Sequence, residues 1–402
     1  MKVFNPMQYL AIDIANHFGL DKLNYEERID WVKTNINSLE NMTEQAEEPI
    51  LFAKAVYALR QTQQGIPTGH TVAFDATCSG LQIMSVLMRC RSGAYLTGLI
   101  DPNNRIDAYT LITDAMNTEL AKKGMQVSVS RKDSKKAIMT SLYGSLKTPG
   151  DIFGEDVLPI YYDTLGKLCG GAMELLEMLR NSWSPTKDVH EWILPDGHTA
   201  YVPVIKRVDK RVTISEGGLE YSPVIRYKEQ TTKKNAVSNI ANVVHSIDAY
   251  ILRTVYRKCN YHKGVVKSFL RLDYDETKTV VTDNWINSRY LATGIADISF
   301  INHIDQTNIH NYSKELIMEL TKQCCELLEH EPFEVICIHD SFACHANNMN
   351  YLRKYYNQTL ATLSESMTID DILSQLYGCK AYIDSKGDSI KDGILNSNYG
   401  LT

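Results

Sequence analysis

Apolar residues recur at helical spacing through residues 7–60, where Asn24 and Glu27 take the places of an N-cap and its first-turn acid ahead of Arg28-Ile-Asp-Trp-Val32. The period then changes, and Thr71-Val-Ala-Phe74 reads as a short buried strand. Helices are predicted over 105–125 and 130–146, the second opening on Ser130-Arg-Lys-Asp133 with capping-box spacing. A further helical stretch covers 160–183. Trp192-Ile-Leu-Pro-Asp-Gly197 is a turn signal, and residues 199–229 alternate around Gly217-Gly218 as a hairpin does. Helix returns over 235–258 and again over 313–329, where Leu316, Ile317, Leu320, Cys324, Leu327 and Leu328 form an apolar stripe. Val335–Ile338 and Phe342–His345 then flank a His-Asp-Ser turn as two short strands. This mixture of helices and short strands predicts an α/β (mixed α+β) fold.

Composition narrows the class. The 402 residues exceed what one hydrophobic core usually serves, so two or three subdomains are expected. No stretch approaches the ~20 apolar residues of a spanning helix, and Met1-Lys-Val-Phe-Asn-Pro-Met7 lacks the apolar block of a signal peptide. A cytosolic protein with no membrane partner is expected. The nine cysteines are scattered without a CxxC pair, which predicts reduced thiols and no zinc site. A net charge of −6 argues mildly against a nucleic-acid partner, yet the basic excess is local. Residues 131–147 hold Arg131, Lys132, Lys135, Lys136 and Lys147 against Asp133 alone, a net +4. Residues 206–234 reach the same net charge, with eight basic side chains, Lys233 and Lys234 among them, against four acids. A solvated face is an equally ordinary origin for the second run.

Two aspartates close apolar runs 265 positions apart: Asp75 in Thr71-Val-Ala-Phe-Asp-Ala-Thr-Cys-Ser-Gly80 and Asp340 in Val335-Ile-Cys-Ile-His-Asp-Ser-Phe-Ala-Cys344. Between them Arg131 and Lys135 share a helical face, and Tyr143-Gly144 follows two turns on, with Met139 along the same stripe. Taken singly, a strand-ending aspartate is a turn former, such a cationic pair is a solvated face, and His245 or His339 is a hydrogen-bonded structural histidine. Together they are two carboxylates able to hold Mg2+, a phosphate grip, and a nucleoside platform with a glycine where a ligand can approach the backbone. These are the parts nucleotidyl transfer needs.

In these residues the chain resembles the single-subunit, phage and mitochondrial type of DNA-dependent RNA polymerase. Phe74-Asp-Ala-Thr-Cys-Ser-Gly-Leu-Gln82 is similar to that family's motif A; Arg131, Lys135, Tyr143 and Gly144 match motif B; His339, Asp340 and Ser341 match motif C. Gly19-Leu-Asp-Lys22 with Glu27-Arg28-Ile29, Val244-His-Ser-Ile-Asp248, and Ile394-Leu-Asn-Ser-Asn-Tyr-Gly-Leu-Thr402 are weaker, collinear matches. The resemblance implies a right-hand polymerase, with a palm at 1–91 and 246–402 and fingers at 92–245 carrying the 199–234 hairpin. It implies two Mg2+ ions bridged by Asp75 and Asp340, with Arg131, Lys135 and Lys22 on the phosphates and His339 beside the primer terminus. Tyr143 and His245 would favour ribonucleotides, with Gly144 beside the substrate. DNA template, RNA product and rNTPs are the implied ligands. A DNA polymerase or primase-like enzyme is disfavoured, because motif C is His-Asp-Ser and no carboxylate block follows Asp75. A catalytically silent nucleic-acid-binding subunit is disfavoured by the intact aspartate pair.

Three departures bear on the organisation. The family's Asp-x-x-Gly-Arg element, N-terminal domain and thumb have no counterpart here, although Phe4-Asn5-Pro6 resembles a short motif just downstream of that element. A second polymerase subunit supplying the element and thumb is therefore expected, as in the two-subunit middle-gene RNA polymerase of enquatrovirus-type phages, whose catalytic subunit this chain resembles. The bacterial host cytoplasm, and a template-delivery or single-stranded-DNA-binding protein, follow from that likeness. About residues 262–312 form an insertion, either a docking or DNA-binding element or a surface excursion. The 199–234 hairpin lies where the family reads promoters but does not match it closely, so no promoter preference carries over.

Overall fold

The computed structural model describes residues 1–230 and 236–402, leaving aside the side chains of Lys206, Gln230 and Ala236. Lys233, Lys234 and the Lys206 side chain, counted above in the second basic run, lie outside the described residues.

The first helix, α1 (Pro6–Ala15), begins with a capping box in which Asn5 and Gln8 satisfy each other's amides, and Pro6 opens it where no amide is needed. Every residue from Tyr9 to Ala15 is buried, so this helix is wrapped on all sides. Helix α2 (Tyr25–Thr34) starts at the Asn24/Glu27 box that the sequence predicts, and α3 (Pro49–Gln63) completes the layer. Strand β1 (Thr71–Asp75) follows, with Val72 and Phe74 facing the core. It leads into α4 (Ser79–Leu87), α5 (Arg91–Leu96), α6 (Ala108–Lys122) and α7 (Arg131–Leu142). At the start of α7 the Ser130 hydroxyl accepts from the Asp133 amide at 3.2 Å, but the Asp133 carboxylate takes the Ser130 hydroxyl instead of a backbone amide. The expected reciprocal box is half made.

The helix expected over 160–183 is the second part of a longer one, α8 (Lys147–Asn181), bent at Gly154 and Cys169. Pro149 sits in its first turn, where a missing amide costs nothing, so it does not delay the helix. Strands β2 (Val189–Ile193) and β3 (Thr199–Pro203) pair across the 194–198 turn, so residues 199–203 belong to this hairpin and not to the one centred on Gly217-Gly218. That later ribbon consists of β4 (Ile205–Arg211), β5 (Ile214–Glu216), β6 (Leu219–Tyr221) and β7 (Val224–Gln230), with β4 on β7 and β5 on β6. Gly217 and Gly218 take φ of 59° and 79°, the left-handed pair that a two-residue hairpin turn requires.

Helix α9 (Ala236–Cys259) leads to the predicted insertion, which is folded. It holds α10 (Lys263–Phe269) and α11 (Trp285–Thr293), and it is pinned where Arg289 meets Asp371 at 2.7 Å and Trp285 covers Gly197. Then come α12 (Lys314–Leu327), β8 (Ile336–Ile338), β9 (Ser341–His345), α13 (Met349–Glu365), α14 (Thr368–Tyr377) and α15 (Lys391–Asn396). The central sheet has the order β1-β9-β8, all antiparallel. Residues 399–402 lie along β1, with Thr402 N–H donating to the Asp75 carbonyl at 2.9 Å and Asp75 N–H to the Thr402 carbonyl at 3.2 Å. Arg353, buried among Phe4, Tyr9 and Tyr25, donates to the Tyr9 hydroxyl (2.8 Å) and the Asn398 carbonyl (3.0 Å), joining both ends of the chain to one core. All nine cysteines carry free thiols, and no described helix is long and apolar enough to cross a membrane.

Candidate active site

The sheet register brings the two aspartates together. Asp75 is the last residue of β1 and lies opposite Ser341, and the next amide, Ala76 N–H, donates to the Asp340 carbonyl at 3.0 Å. Ile338 pairs with Ser341, so His339 and Asp340 are the two residues of the β8–β9 turn. His339 carries φ of +56°, a conformation unfavourable for a side chain other than glycine, and it projects from the same tight turn as Asp340. Because side chains alternate along a strand, Val72 and Phe74 anchor β1 while Asp75 is exposed on the other face.

Asp75 lines a cavity of about 180 Å³ with Lys22, Arg131 and Lys135, so four of the predicted residues share one space. Lys22 follows a turn at Gly19 (φ +104°) and forms an ion pair with Asp21. Arg131 is held by Asp107, with Nη2 at 2.6 Å and Nε at 2.8 Å from one carboxylate oxygen, and its Nε also lies 3.1 Å from the Thr110 hydroxyl. Burial pushes the Asp107 carboxyl up, but hydrogen bonds from Thr110 and Arg131 outweigh it and hold the group below its ordinary range. Lys135 reaches no carboxylate among the described residues; its ammonium lies 5.4 Å from the centre of the Tyr109 ring. The Tyr109 hydroxyl donates to the Cys78 sulfur at 3.4 Å.

A second group borders the aspartates. The Tyr143 ring, at the C-terminal cap of α7, stacks on His245 from α9 with centroids 4.6 Å apart and planes 29° from parallel. Burial raises the Tyr143 pKa despite a hydrogen bond from Ser79, keeping the phenol protonated. Burial, with His339 nearby, lowers the His245 pKa and leaves a neutral imidazole. Asp248, one helical turn beyond His245, is pushed up to about 6 by burial and by Asp340, with His339 opposing. Residues of α7, α9 and the β8–β9 turn thus form one electrostatically linked cluster.

Gly144 is packed against a helix. It is buried, it has φ of +90°, and a Cβ there would sit 2.8 Å from Ile240 Cδ1. Helix α9 makes this close approach. Asp107, Tyr109, Arg105 and Asp248 border the site without having been singled out from the sequence. Only Asp248 lay within a quoted motif; the others sit at the start of α6, where an N-cap acid and its neighbours look structural.

Asp75 and Asp340 each carry hard oxygen donors on adjoining stretches of backbone, and no group of three or more His, Cys, Asp or Glu able to hold a metal ion occurs among the described residues. Two carboxylates with the remaining positions left to water and phosphate oxygens is the donor set that suits Mg2+.

Residues 4–149 match the model of a family described as DNA-dependent RNA polymerase, a span that includes Lys22, Asp75, Arg131, Lys135, Tyr143 and Gly144. The DNA-directed RNA polymerase of Pseudomonas phage phiKMV is 23% identical over 301 residues, covering 60% of this chain and 37% of its own length. A probable DNA-directed RNA polymerase of Neurospora crassa is 23% identical over 419 residues, covering 97% of this chain and 43% of its own. The mitochondrial DNA-directed RNA polymerase 1 of Arabidopsis thaliana is 28% identical over 171 residues, 34% of this chain and 17% of its own. The matched family and these relatives are DNA-directed RNA polymerases, which are nucleotidyltransferases. The chain spans less than half the length of each of the three.

Proposed function

We propose that this chain carries the catalytic centre of a DNA-dependent RNA polymerase of the phage and mitochondrial type. The observation that carries this reading is the meeting of Asp75 and Asp340, at adjoining ends of paired strands, beside a cavity lined by Lys22, Arg131 and Lys135. In the reaction a ribonucleotide's α-phosphorus gains a bond to the RNA 3′ oxygen and loses its bond to pyrophosphate. Two Mg2+ ions on the aspartates would supply charge neutralisation and activate the 3′ oxygen. Arg131 contributes a planar fork and Lys135 a point charge to the triphosphate. In this reading His245 orients Tyr143 through their stacked rings, the Tyr143 hydroxyl senses the 2′ hydroxyl, and His339 serves the primer end.

The proposal extends to a palm and fingers. Strand β1, from residues 1–91, lies beside β9, from residues 246–402, as one palm sheet, while α6, α7 and α8 from residues 92–245 supply the cationic wall as fingers. DNA template, RNA product and rNTPs are the proposed ligands. A second polymerase subunit carrying an Asp-x-x-Gly-Arg element and thumb, a template-delivery or single-stranded-DNA-binding protein, and action in an infected bacterial cytoplasm complete the proposal. The deciding experiment is single-nucleotide extension of an RNA primer on a DNA template with Mg2+, comparing rNTPs with dNTPs, using the full chain with and without proteins that co-purify with it. Ribonucleotide addition that depends on Asp75 and Asp340 is expected. Addition of dNTPs with equal efficiency would point instead to a DNA polymerase, and no addition under any of these conditions would remove the catalytic reading.

A further inference from the structure

A second cavity of about 540 Å³ adjoins the one beside Asp75, and the two share Lys22, Arg105, Asp107 and Arg131 as lining residues. Four cations therefore line the catalytic cavity, and they are not equivalent. Lys22 is paired with Asp21 and Arg131 with Asp107, whereas Arg105 and Lys135 form no ion pair among the described residues. Lys135 already belongs to the phosphate grip described above. Arg105 does not, and its surroundings are unusual: Nη1 donates to the neighbouring Ile106 carbonyl, while Nε is buried with no hydrogen-bond partner. A guanidinium whose Nε is buried without a partner costs free energy that an anionic ligand reorienting it would return. Its backbone is fixed as well, since the Arg105 amide donates to the Asn24 side chain at 2.7 Å, tying the loop before α6 to the start of α2. Burial also draws the Arg105 pKa down against the pull of Asp107 and Asp21, in keeping with a cation short of compensating charge.

We propose that Arg105 is a substrate-binding residue that grips the β- and γ-phosphates of the incoming nucleotide and then the pyrophosphate, on the wall shared by the two cavities. The proposal rests on the polymerase reading and extends it. With the α-phosphorus beside Asp75, the Pα–O bond that breaks releases pyrophosphate toward the adjoining cavity, and Arg105 borders both the starting and the departing position of that group. A planar guanidinium can hold two phosphate oxygens at once, which an ammonium cannot.

The test uses the full chain and two separate readouts: calorimetric binding of Mg2+-pyrophosphate, and single-nucleotide addition with its KM and kcat resolved. Arg105→Gln is expected to weaken pyrophosphate binding and raise the rNTP KM by on the order of tenfold, with kcat changed much less, as loss of one charge-assisted contact predicts. Arg105→Lys should recover part of both losses, because the charge returns without the fork. Should Arg105→Gln melt at a lower temperature than wild type, Arg105→Met, which fills the space without polar demand, takes its place in the same two assays. Pyrophosphate binding and rNTP KM unchanged in the uncharged variant would overturn the proposal while leaving the polymerase reading intact. Pyrophosphate binding that depends on Arg105, in a chain that adds no ribonucleotide even with the proteins that co-purify with it, would keep the diphosphate site and remove the polymerase reading.

Discussion

At the scale of single residues, the site separates groups that carry charge from groups that set geometry. Asp75 is exposed and Asp340 half-buried, and Asn nearly matches Asp in volume, so neither Asp75→Asn nor Asp340→Asn opens a void and the fold is expected to survive both. Each substitution removes a carboxylate charge on which the proposed chemistry depends. Loss of several kcal/mol of transition-state stabilisation corresponds to about two or more decades in rate. Primer extension above about a tenth of wild type by either variant would contradict the metal-bridging assignment. Tyr143 is tested differently, because Phe keeps the ring stacked on His245 and deletes one hydroxyl. Tyr143→Phe is expected to extend primers but to prefer rNTPs over dNTPs less strongly, by a factor of roughly two to ten for a lost hydrogen bond of about 0.5–1.5 kcal/mol. An unchanged ratio in competition assays would make Tyr143 a stacking platform only.

At the scale of elements, the contact between α7 and α9 fixes where Tyr143 and His245 meet. Gly144 permits this contact because its φ of +90° and missing Cβ let Ile240 pack against the backbone. Gly144→Ala adds backbone strain and an overpacked contact, together costing about 2–3 kcal/mol. Urea denaturation should show this loss, and Ile240→Val in the same chain should return the steric share of it. A loss below about 0.5 kcal/mol, within the range of ordinary surface changes, would mean that α9 yields easily and does not position His245. The β8–β9 turn works on the same principle, trading a strained φ at His339 for the projection of His339 and Asp340 from one edge of the sheet.

At the scale of the whole molecule, the placement of β1 depends on the helical layer in front of it. Asp13, buried on α1, meets His70 just before β1 at 2.7 Å and His17 at 3.5 Å, and His17 reaches Glu48 at 2.7 Å. Burial opposes charge on His17, but Asp13 and Glu48 prevail and raise its pKa above the ordinary 6.5. The stability this gives is fully present below about pH 6.5, the unfolded value, and is lost as pH rises through the raised folded value. His17→Gln should therefore cost more at pH 6 than at pH 9, measured as urea midpoints converted with a common slope. Equal costs at the two pH values would show that His17 contributes packing alone. For Asp13 the sign reverses: burial pushes its carboxyl up, yet the two histidines hold its pKa below 3.8, so its contribution is present above that pH and fades as pH falls through the lower folded value.

Local chemistry made the elements legible in the sequence. Asn24 with Glu27 started a helix, Gly217-Gly218 closed a hairpin, and the stripe from Leu316 to Leu328 faced a core, because capping, left-handed turns and helical periodicity are satisfied within a few residues. The same locality put Arg131 and Lys135 on one face and His339 with Asp340 in one turn. Helix α8 was legible only over its second part; the folded chain carries it back to Lys147, with Pro149 in the first turn and a bend at Gly154. The pairing of Asp75 with Ser341 was decided by strand register across 266 positions, which no local signal encodes. The recruitment of Asp107, Tyr109 and Arg105 to the cationic cavity, and the use of Gly144 to seat α9, were likewise decided by the packing of α6, α7 and α9. The sequence by itself determined which chemistry-bearing residues exist and the short elements that carry them. Their convergence came from burying one continuous apolar core, a free energy summed over the whole chain that no short window of sequence contains.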